Sequence, residues 1–182
     1  MNYIYDKNLI EGLVIDNRGR VSGISIYSGV IMVSNVNISM GYLDNFNKIV
    51  VIGLYCDNSI VFLNSVIIKG HQDIMTVGCL AYQANLKVIN SKFYQNKFAG
   101  FLTHSTSTNF INLNKNIINE NLGCGIFISG NGETILEENL IEKNQGVGIK
   151  IVDCRKISFV NNIIVENFLN GAEFINCDGL IM

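Results

Sequence analysis

The sequence predicts an all-β protein, a parallel β-solenoid in which short coils stack along one axis. One phrase, Leu-x-x-Asn-x-Ile-x-x-Asn-x-x-x-Gly-Ile-x-Ile, begins at Leu113 and returns 23 residues later at Leu136. It returns again at Phe159 with Ala and Phe replacing the last two apolar residues. Apolar residues two apart, interrupted by Asn and Gly, are typical of short strands with one inward face and turns between them.

The same repeat extends upstream when the loops are allowed to vary in length. The first apolar position of successive coils is Ile10, Val33, Phe62, Val88, Leu113, Leu136 and Phe159. The apolar residue five later is Ile15, Ile38, Ile67, Phe93, Ile118, Ile141 and Ile164. A glycine column precedes the inward pairs and consists of Gly23, Gly53, Gly78, Gly100, Gly125, Gly148 and Gly171. These spacings predict about seven coils of 23–29 residues in one domain over residues 1–182, with neighbouring coils ~4.8 Å apart.

Polar residues also form columns in this stacking. One asparagine column is Asn116, Asn139 and Asn162, and another is Asn96, Asn121, Asn144 and Asn167. We expect these residues to adopt the left-handed turn conformation and to bond amide to amide between coils. Opposite charges are also one period apart, in the column Glu120, Lys143 and Glu166 and in the pairs Glu133–Lys156 and Arg155–Asp178. Most charged residues of the C-terminal half are thus explained by stacking.

Composition narrows the class of protein. With a net charge of −2 and 15% charged residues, the chain has no basic footprint for nucleic acid or an anionic membrane. The uncharged run from Val21 to Leu43 contains too many Ser and Asn residues for a membrane span, and the first residues lack the apolar core of a signal peptide. Cys154 and Cys177 lie one period apart. This spacing would permit a disulfide, but two stacked, buried thiols are favoured. We therefore predict a cytoplasmic setting.

The phrase around Asn-Leu-Ile-Glu-Lys-Asn and Gly-Val-Gly-Ile-Lys-Ile resembles the parallel β-helix repeat of the pectin-lyase-like superfamily. The segment from Gly130 to Asn139 is similar to repeats in the β-helix domains of F-box proteins, and also to carbohydrate-binding and sugar-hydrolase β-helix domains. The resemblance implies a right-handed, single-stranded coil of three short parallel sheets. The same scaffold carries lyases, hydrolases and plain binding modules, so it leaves function open.

Catalytic chemistry is not visible in the sequence. A hydrolase needs converging carboxylates about 5–9.5 Å apart, and a lyase of this class would resemble relatives with a calcium-binding acidic cluster and a basic residue. The outward positions between the inward pairs are Ser25, Tyr55, Leu80, Leu102, Phe127, Lys150 and Glu173, without a carboxylate cluster. The chain has no Pro and so no Arg-x-Pro lyase motif. We predict no catalytic residue, cofactor or metal; the alternative is a polysaccharide lyase or glycoside hydrolase.

Two long loops are the first candidate binding region. The loop from Gly41 to Gly53 contains Tyr42 and Asp44, and the loop from Gly70 to Gly78 contains His71 and Asp73. Insertions at one corner of adjacent coils lie close in space, and long loops often build binding sites. His71 and Asp73 suit an acid–base or metal pair, although an ordinary solvated loop with turn-capping side chains is favoured.

The second candidate region is apolar. Tyr55, Leu80, Leu102 and Phe127 occupy one outward column on consecutive coils, and Ile117, Leu140 and Ile163 occupy another. An exposed apolar stripe marks an interaction surface or is covered by another part of the protein. We predict a non-catalytic module that binds a protein segment or a polysaccharide. Leu180 and Met182 fall in inward slots, so the sequence stops mid-coil; this predicts a fragment or end-to-end self-association through an uncapped C-terminal coil.

Overall fold

The computed structural model describes residues 9–16, 22–41, 50–105, 108–130 and 132–181, and all regular structure within these ranges is β-strand. The strands pair in parallel in two sheets. The larger sheet contains β1 (Leu9–Glu11), β3 (Ser22–Ser34), β5 (Val51–Asn64), β7 (Thr76–Tyr82), β8 (Asn85–Ile89), β10 (Ala99–His104), β11 (Phe110–Asn114), β13 (Cys124–Ser129), β14 (Glu133–Glu137), β16 (Ile149–Val152), β17 (Lys156–Val160), β19 (Ala172–Ile175) and β20 (Leu180–Ile181). The smaller sheet contains β2 (Val14–Asp16), β4 (Asn37–Ser39), β6 (Ile67–Lys69), β9 (Lys92–Tyr94), β12 (Ile117–Asn119), β15 (Leu140–Glu142) and β18 (Ile163–Val165).

The larger sheet turns a corner and so supplies two faces of the solenoid. In β3 and β5 a single strand crosses this corner, where Ser28 and Asn58 have φ of 57° and 44°. In the next coil Gln83, with φ of 48°, separates β7 from β8. We call face 1 the strands before the corner (β7, β10, β13, β16, β19 and the first halves of β3 and β5). Face 2 comprises the strands after it, and face 3 is the smaller sheet.

The predicted parallel solenoid is confirmed, with a small difference in coil count. Face 3 stacks seven strands, so the chain winds about six turns from β2 to β18. On face 1 the predicted glycine column and inward pairs are in register; Ile126, for example, pairs with Phe101 on one side and Ile149 on the other.

In one coil the predicted inward positions are wrong by one residue. Val33 pairs with Leu63 and not with Phe62, and Leu63 is buried whereas Phe62 is exposed. The same one-residue slip makes Ile68, and not Ile67, the inward residue of β6. The residues from Ile60 to Leu63 are all apolar, so alternation in the sequence does not decide which of them face inward.

The core is a stack of inward columns from the three faces. Leu54, Leu63 and Ile68 of one coil are each almost completely buried. The rings of Phe93 and Phe101 meet edge to face with centroids 5.8 Å apart. Burial of each such side chain contributes roughly 1.5–3 kcal/mol, so the repeated columns supply most of the stabilisation.

Both predicted asparagine columns form hydrogen-bonded ladders. Asn121 Oδ1 accepts from the backbone N–H and the Nδ2 of Asn96 at 3.0 and 2.9 Å. Asn121 Nδ2 donates to Asn144 Oδ1 at 2.8 Å and to the carbonyl of Phe93 at 3.3 Å. The other column repeats this pattern; Asn116 Nδ2 donates to Asn139 Oδ1 at 3.0 Å. Each amide therefore joins successive coils inside the protein.

The ladder that contains Asn121 and Asn144 ends at Asn96. Its Oδ1 is buried and has no hydrogen-bond partner among the residues that the structure describes. In the preceding coil the chain enters the loop after Gly70, and the backbone N–H of His71 donates to Thr76 Oγ1 at 3.4 Å. The loop insertion thus coincides with the end of the ladder.

The left-handed conformation predicted for the ladder asparagines is wrong. Positive φ belongs to the residue before each of them: Gln95, Glu120, Lys143 and Glu166 in one column, and Lys115, Glu138 and Asn161 in the other. The turn leaves the left-handed side chain near solvent and points the next one inward. The asparagines are therefore explained by their amides and not by their φ.

Charge stacking follows the prediction in part. Lys143 Nζ lies 3.8 Å from Glu166 Oε2, and Lys156 Nζ lies 2.5 Å from Glu133 Oε1. Among the described residues, no ion pair joins Arg155 to Asp178 or Glu120 to Lys143; Glu120 accepts from Gln95 Nε2 at 3.3 Å instead. These exposed pairs contribute little each, roughly 0–1 kcal/mol.

All five cysteines are free thiols. Cys154 and Cys177, which the sequence placed one above the other, each donate to a backbone carbonyl, those of Val152 and Ile151, at 3.6 Å. Cys56 and Cys79 are buried together, and their hydrogen bond, with burial, raises the pKa of Cys79 well above its ordinary value.

The glycine column allows close stacking of the backbones on face 1. A Cβ on Gly78 would lie 2.3 Å from the carbonyl oxygen of Gly100. No helix occurs among the described residues, and hence none long and apolar enough to cross a membrane.

Candidate functional site

The predicted apolar column lies on the outward side of face 1. Tyr55, Leu80, Leu102 and Phe127 are register partners on four consecutive coils. Each is half-buried, because the side chains of the coils above and below cover its flanks. The column continues into Lys150 and Glu173, whose charged groups are 3.2 Å apart. It therefore forms a continuous apolar strip of ~14 Å, bounded at one end by an ion pair.

A second outward column on face 1 was not recognised in the sequence. It lies two residues further along each strand and contains Tyr27, Asp57, Tyr82 and His104 as register partners. The side chains of this column stand at the corner next to face 2. The signal was present, since each residue follows a member of the first outward column by two positions.

One aromatic contact connects the two columns, and another lies within the second column. The rings of Tyr27 and Tyr55 have centroids 5.6 Å apart and an interplanar angle of 64°. The imidazole of His104 stacks on Tyr82 at 5.8 Å and 24°. Burial raises the pKa of Tyr55, and Asp57, Tyr27 and Tyr82 raise it further. The environment of Tyr55 thus disfavours additional negative charge.

The structure brings His71 and Asp73 together, but in an open loop. The backbone N–H of Asp73 donates to His71 Nδ1 at 3.3 Å, and a carboxylate oxygen of Asp73 lies 3.8 Å from the same nitrogen. The buried Thr76 hydroxyl organises the loop by donating to the carbonyl of His71 at 3.2 Å and accepting from the N–H of Lys97 at 2.8 Å. The side chain of Asp73 is 79% exposed. These contacts suit a capped turn.

In the part of the chain that the structure describes, no three His, Cys, Asp or Glu residues lie close enough together to hold a metal ion. The other two loop candidates, Tyr42 and Asp44, lie outside the described residues.

Other apolar residues also face outward. On face 3, Ile117, Leu140 and Ile163 are register partners as predicted, and Ile67 belongs to the same column two coils before Ile117. On face 2 the first coils expose Val30, Met32, Ile60 and Phe62. The apolar surface is thus distributed over all three faces and is not confined to the first column.

A small notch lies at the edge of face 1 beside Phe127. Gly123 and Gly146 form its floor between Phe98 and Leu169, and its volume is about 220 Å³. A Cβ on Gly123 would meet the backbone carbonyl of Phe98, so close coil stacking already requires that glycine. The notch is therefore explained as a consequence of stacking.

Comparison with known proteins identifies the repeat and nothing more specific. A family model described as right-handed beta helix region matches residues 2–164. No curated protein and no solved structure matches the chain.

Proposed function

Because the chain belongs to the right-handed beta helix family, we propose that it is a non-catalytic binding module that recognises an extended protein segment or a glycan. Face 1 is the recognition surface. The observation that carries the proposal is the unbroken outward column of Tyr55, Leu80, Leu102 and Phe127 on four consecutive coils.

The physical properties of face 1 suit an extended ligand. Its side chains are held by a hydrogen-bonded parallel sheet, so little conformational entropy is lost when a partner orders them. Apolar groups in the first column supply contact area, and the Tyr and Asp57 groups beside it supply polar contacts that fix orientation. A ligand that follows the solenoid axis meets an equivalent position about every 4.8 Å.

The arrangement of carboxylates supports binding over hydrolysis. On the described strands of face 1 the outward carboxylates are Asp57 and Glu173. Five coil steps separate β5 from β19 along the sheet, or ~24 Å. Two carboxylates that flank one glycosidic bond are about 5–9.5 Å apart, so this pair cannot act on the same bond.

The cytoplasmic setting is part of the proposal and is supported by five free thiols. End-to-end self-association through the last coil stays a prediction. Light scattering over a range of protein concentrations tests it, and a mass that stays monomeric throughout would contradict it.

The experiment is a screen of glycan and peptide arrays followed by calorimetry with variants. Leu102→Glu places a charge in the middle of the face 1 column and should abolish binding of the selected ligand. Ile117→Glu places the same charge on face 3 and should leave binding unchanged. Equal binding by both variants would overturn the assignment of face 1.

A matched assay addresses the alternative of catalysis. We expect no product release from pectate or polygalacturonate with or without calcium. Product release that is lost in His71→Ala or Asp73→Ala would replace the binding proposal with an enzymatic one.

A further inference from the structure

The corner of face 1 places one carboxylate between two tyrosines. Tyr27, Asp57 and Tyr82 occupy the same register position on three consecutive coils. The carboxylate of Asp57 is thus flanked on both sides, ~4.8 Å away along the axis, by the strands that carry the two phenols. Tyr55 stands two residues before Asp57 and on the same side of the sheet.

Two of the three tyrosines are exposed, and the third, Tyr55, is half-buried beside them. Tyr27 is 61% exposed and Tyr82 is 40% exposed. Tyr27 and Tyr55 meet edge to face at 64°, so the edge of one ring covers one face of the other and the opposite faces are not stacked on each other. His104 stacks on Tyr82 from the coil on the far side from Asp57. Three phenol rings therefore border the space around one carboxylate.

The charge of Asp57 is not balanced by a basic side chain among the described residues. No ion pair found there includes Asp57. Its Oδ1 accepts from Asn58 Nδ2 at 2.9 Å, and a side-chain hydrogen bond with Asp57 is among the causes that raise the pKa of Tyr55; both partners are neutral. The negative charge of the carboxylate is therefore not neutralised within the part of the chain that the structure describes. It can attract a cation that has no N–H group to donate.

The ring faces and the carboxylate of the cluster all carry negative electrostatic potential. The faces of aromatic rings carry negative potential and attract cations within about 6 Å of the ring centroid, and the carboxylate adds a full negative charge. The raised pKa of Tyr55, caused by burial and then by Asp57, Tyr27 and Tyr82, is consistent with a site that resists a further negative charge.

From this geometry we propose that Tyr27, Tyr55, Asp57 and Tyr82 form a binding site for an organic ammonium cation, specifically a trimethylammonium group. Such a group has no N–H to donate, spreads its charge over methyl groups that fit against phenol faces, and needs only a carboxylate nearby. The proposal deepens the proposed function and rests on it, since the cation is then the anchor by which face 1 holds its partner.

The test compares choline with 3,3-dimethylbutan-1-ol, which has nearly the same shape and no charge. The chain contains seven Tyr and no Trp, so tyrosine fluorescence and the tyrosine ring signals in NMR report on this surface. We expect choline to bind at least tenfold more tightly than the neutral alcohol, and added salt to weaken choline binding alone. Equal affinity for the two compounds would overturn the proposal.

Variants separate the charge from the rings. Asp57→Asn keeps the shape of the side chain and should remove most of the preference for choline. Tyr27→Leu and Tyr82→Leu should each weaken choline binding about two- to five-fold. Tyr94→Leu, on face 3, serves as the control and should change nothing. Unchanged choline binding in Asp57→Asn refutes the site, and circular dichroism confirms that each variant is folded.

Further arms identify the carrier and separate the two proposals. Phosphocholine and an acetylated, amidated trimethyllysine are titrated beside choline, and the tighter of the two indicates a choline headgroup or a modified protein as the source. If choline fails against its neutral analogue while Leu102→Glu still abolishes binding of an array ligand, the cation site is wrong and the face 1 proposal stands. If choline binds selectively and Leu102→Glu has no effect on the array ligand, the apolar column is wrong and the cation site stands.

Discussion

Replacement of Asn121 by Ala tests whether the asparagine ladder stabilises the fold. The side chain is fully buried and makes four hydrogen bonds, with Asn96 N–H, Asn96 Nδ2, Asn144 Oδ1 and the carbonyl of Phe93. Asn96 Nδ2 retains a bond to the carbonyl of Tyr94 at 3.2 Å. Asn144 Oδ1 retains the backbone N–H of Asn121 at 3.1 Å. The substitution therefore leaves the Asn96 N–H without its partner, whereas the Phe93 carbonyl loses one donor but keeps its place in the sheet ladder between β9 and β12.

The expected loss follows from the Asn96 N–H. A buried polar group that loses its partner costs about 1–3 kcal/mol, so we expect Asn121→Ala to lower the free energy of unfolding by about 1–3 kcal/mol. Asn121→Asp keeps the acceptor, loses both donated bonds and buries a charge, so at neutral pH it should be at least as damaging. Asn37→Ala, on the exposed surface of β4, is the control and should stay within about 0.5 kcal/mol of the parent.

Urea unfolding followed by circular dichroism measures these differences, with tyrosine fluorescence as a second probe. A repeat protein can unfold in parts, so coincidence of the two transitions must be checked before a single free energy is assigned. A loss below about 1 kcal/mol for Asn121→Ala, similar to that of Asn37→Ala, would refute the reasoning, because the ladder bonds would then be replaced by water at no cost.

Three further predictions concern glycine, thiols and charge. Gly78→Ala places a Cβ 2.3 Å from the Gly100 carbonyl oxygen and should prevent native stacking. Gly29 has φ of 90° and open space around it, so Gly29→Ala should lower the free energy of unfolding by only about 1–2 kcal/mol. Thermal melts compare the two variants. In the native protein Ellman's reagent should react with Cys124 and Cys177 before the buried Cys56, Cys79 and Cys154, and all five should react equally fast in urea. The bonds from Asn170 and Lys150 lower the pKa of Glu173, so its contribution to stability is present above the ordinary carboxyl pKa and is lost as pH falls through the folded value. NMR titration should therefore show the pKa of Glu173 rising in Asn170→Ala, and an unchanged value would contradict this cause.

The fold could be predicted from the sequence because each coil repeats the same inward positions. Pairs such as Ile126 and Ile149 identify both the strand and its neighbour. The register failed at Phe62, where four consecutive apolar residues make both phases equally hydrophobic and only the corner at Asn58 decides. The left-handed residue was misplaced for a similar reason: the turn needs one such residue, but composition alone favoured Asn over Glu138 or Lys143.

The candidate site could be predicted only in part. The apolar column on face 1 follows from periodicity, and the structure places its four members in register. The Tyr27–Asp57–Tyr82 column was missed because a period of two assigns side chains to a face without ranking the positions on it. The geometry of His71 and Asp73 depends on Thr76, whose role as the centre of the loop has no signature in spacing.

The break in the ladder at Asn96 divides the cooperativity of the molecule. From Asn96 onward the coils are coupled by buried asparagine amides as well as by sheet pairing. The preceding coil has no asparagine in this column, and its buried polar link is the bond from the backbone N–H of Val66 to Ser91 Oγ at 3.1 Å. We expect amide hydrogen exchange to be faster in β3 and β5 than in β10 and β13, so that the earlier coils open as a separate unit. Tyr27 and Asp57 belong to that unit. Occupation of the cation site would then oppose this opening, and binding would be detected as protection of β3 and β5 from exchange.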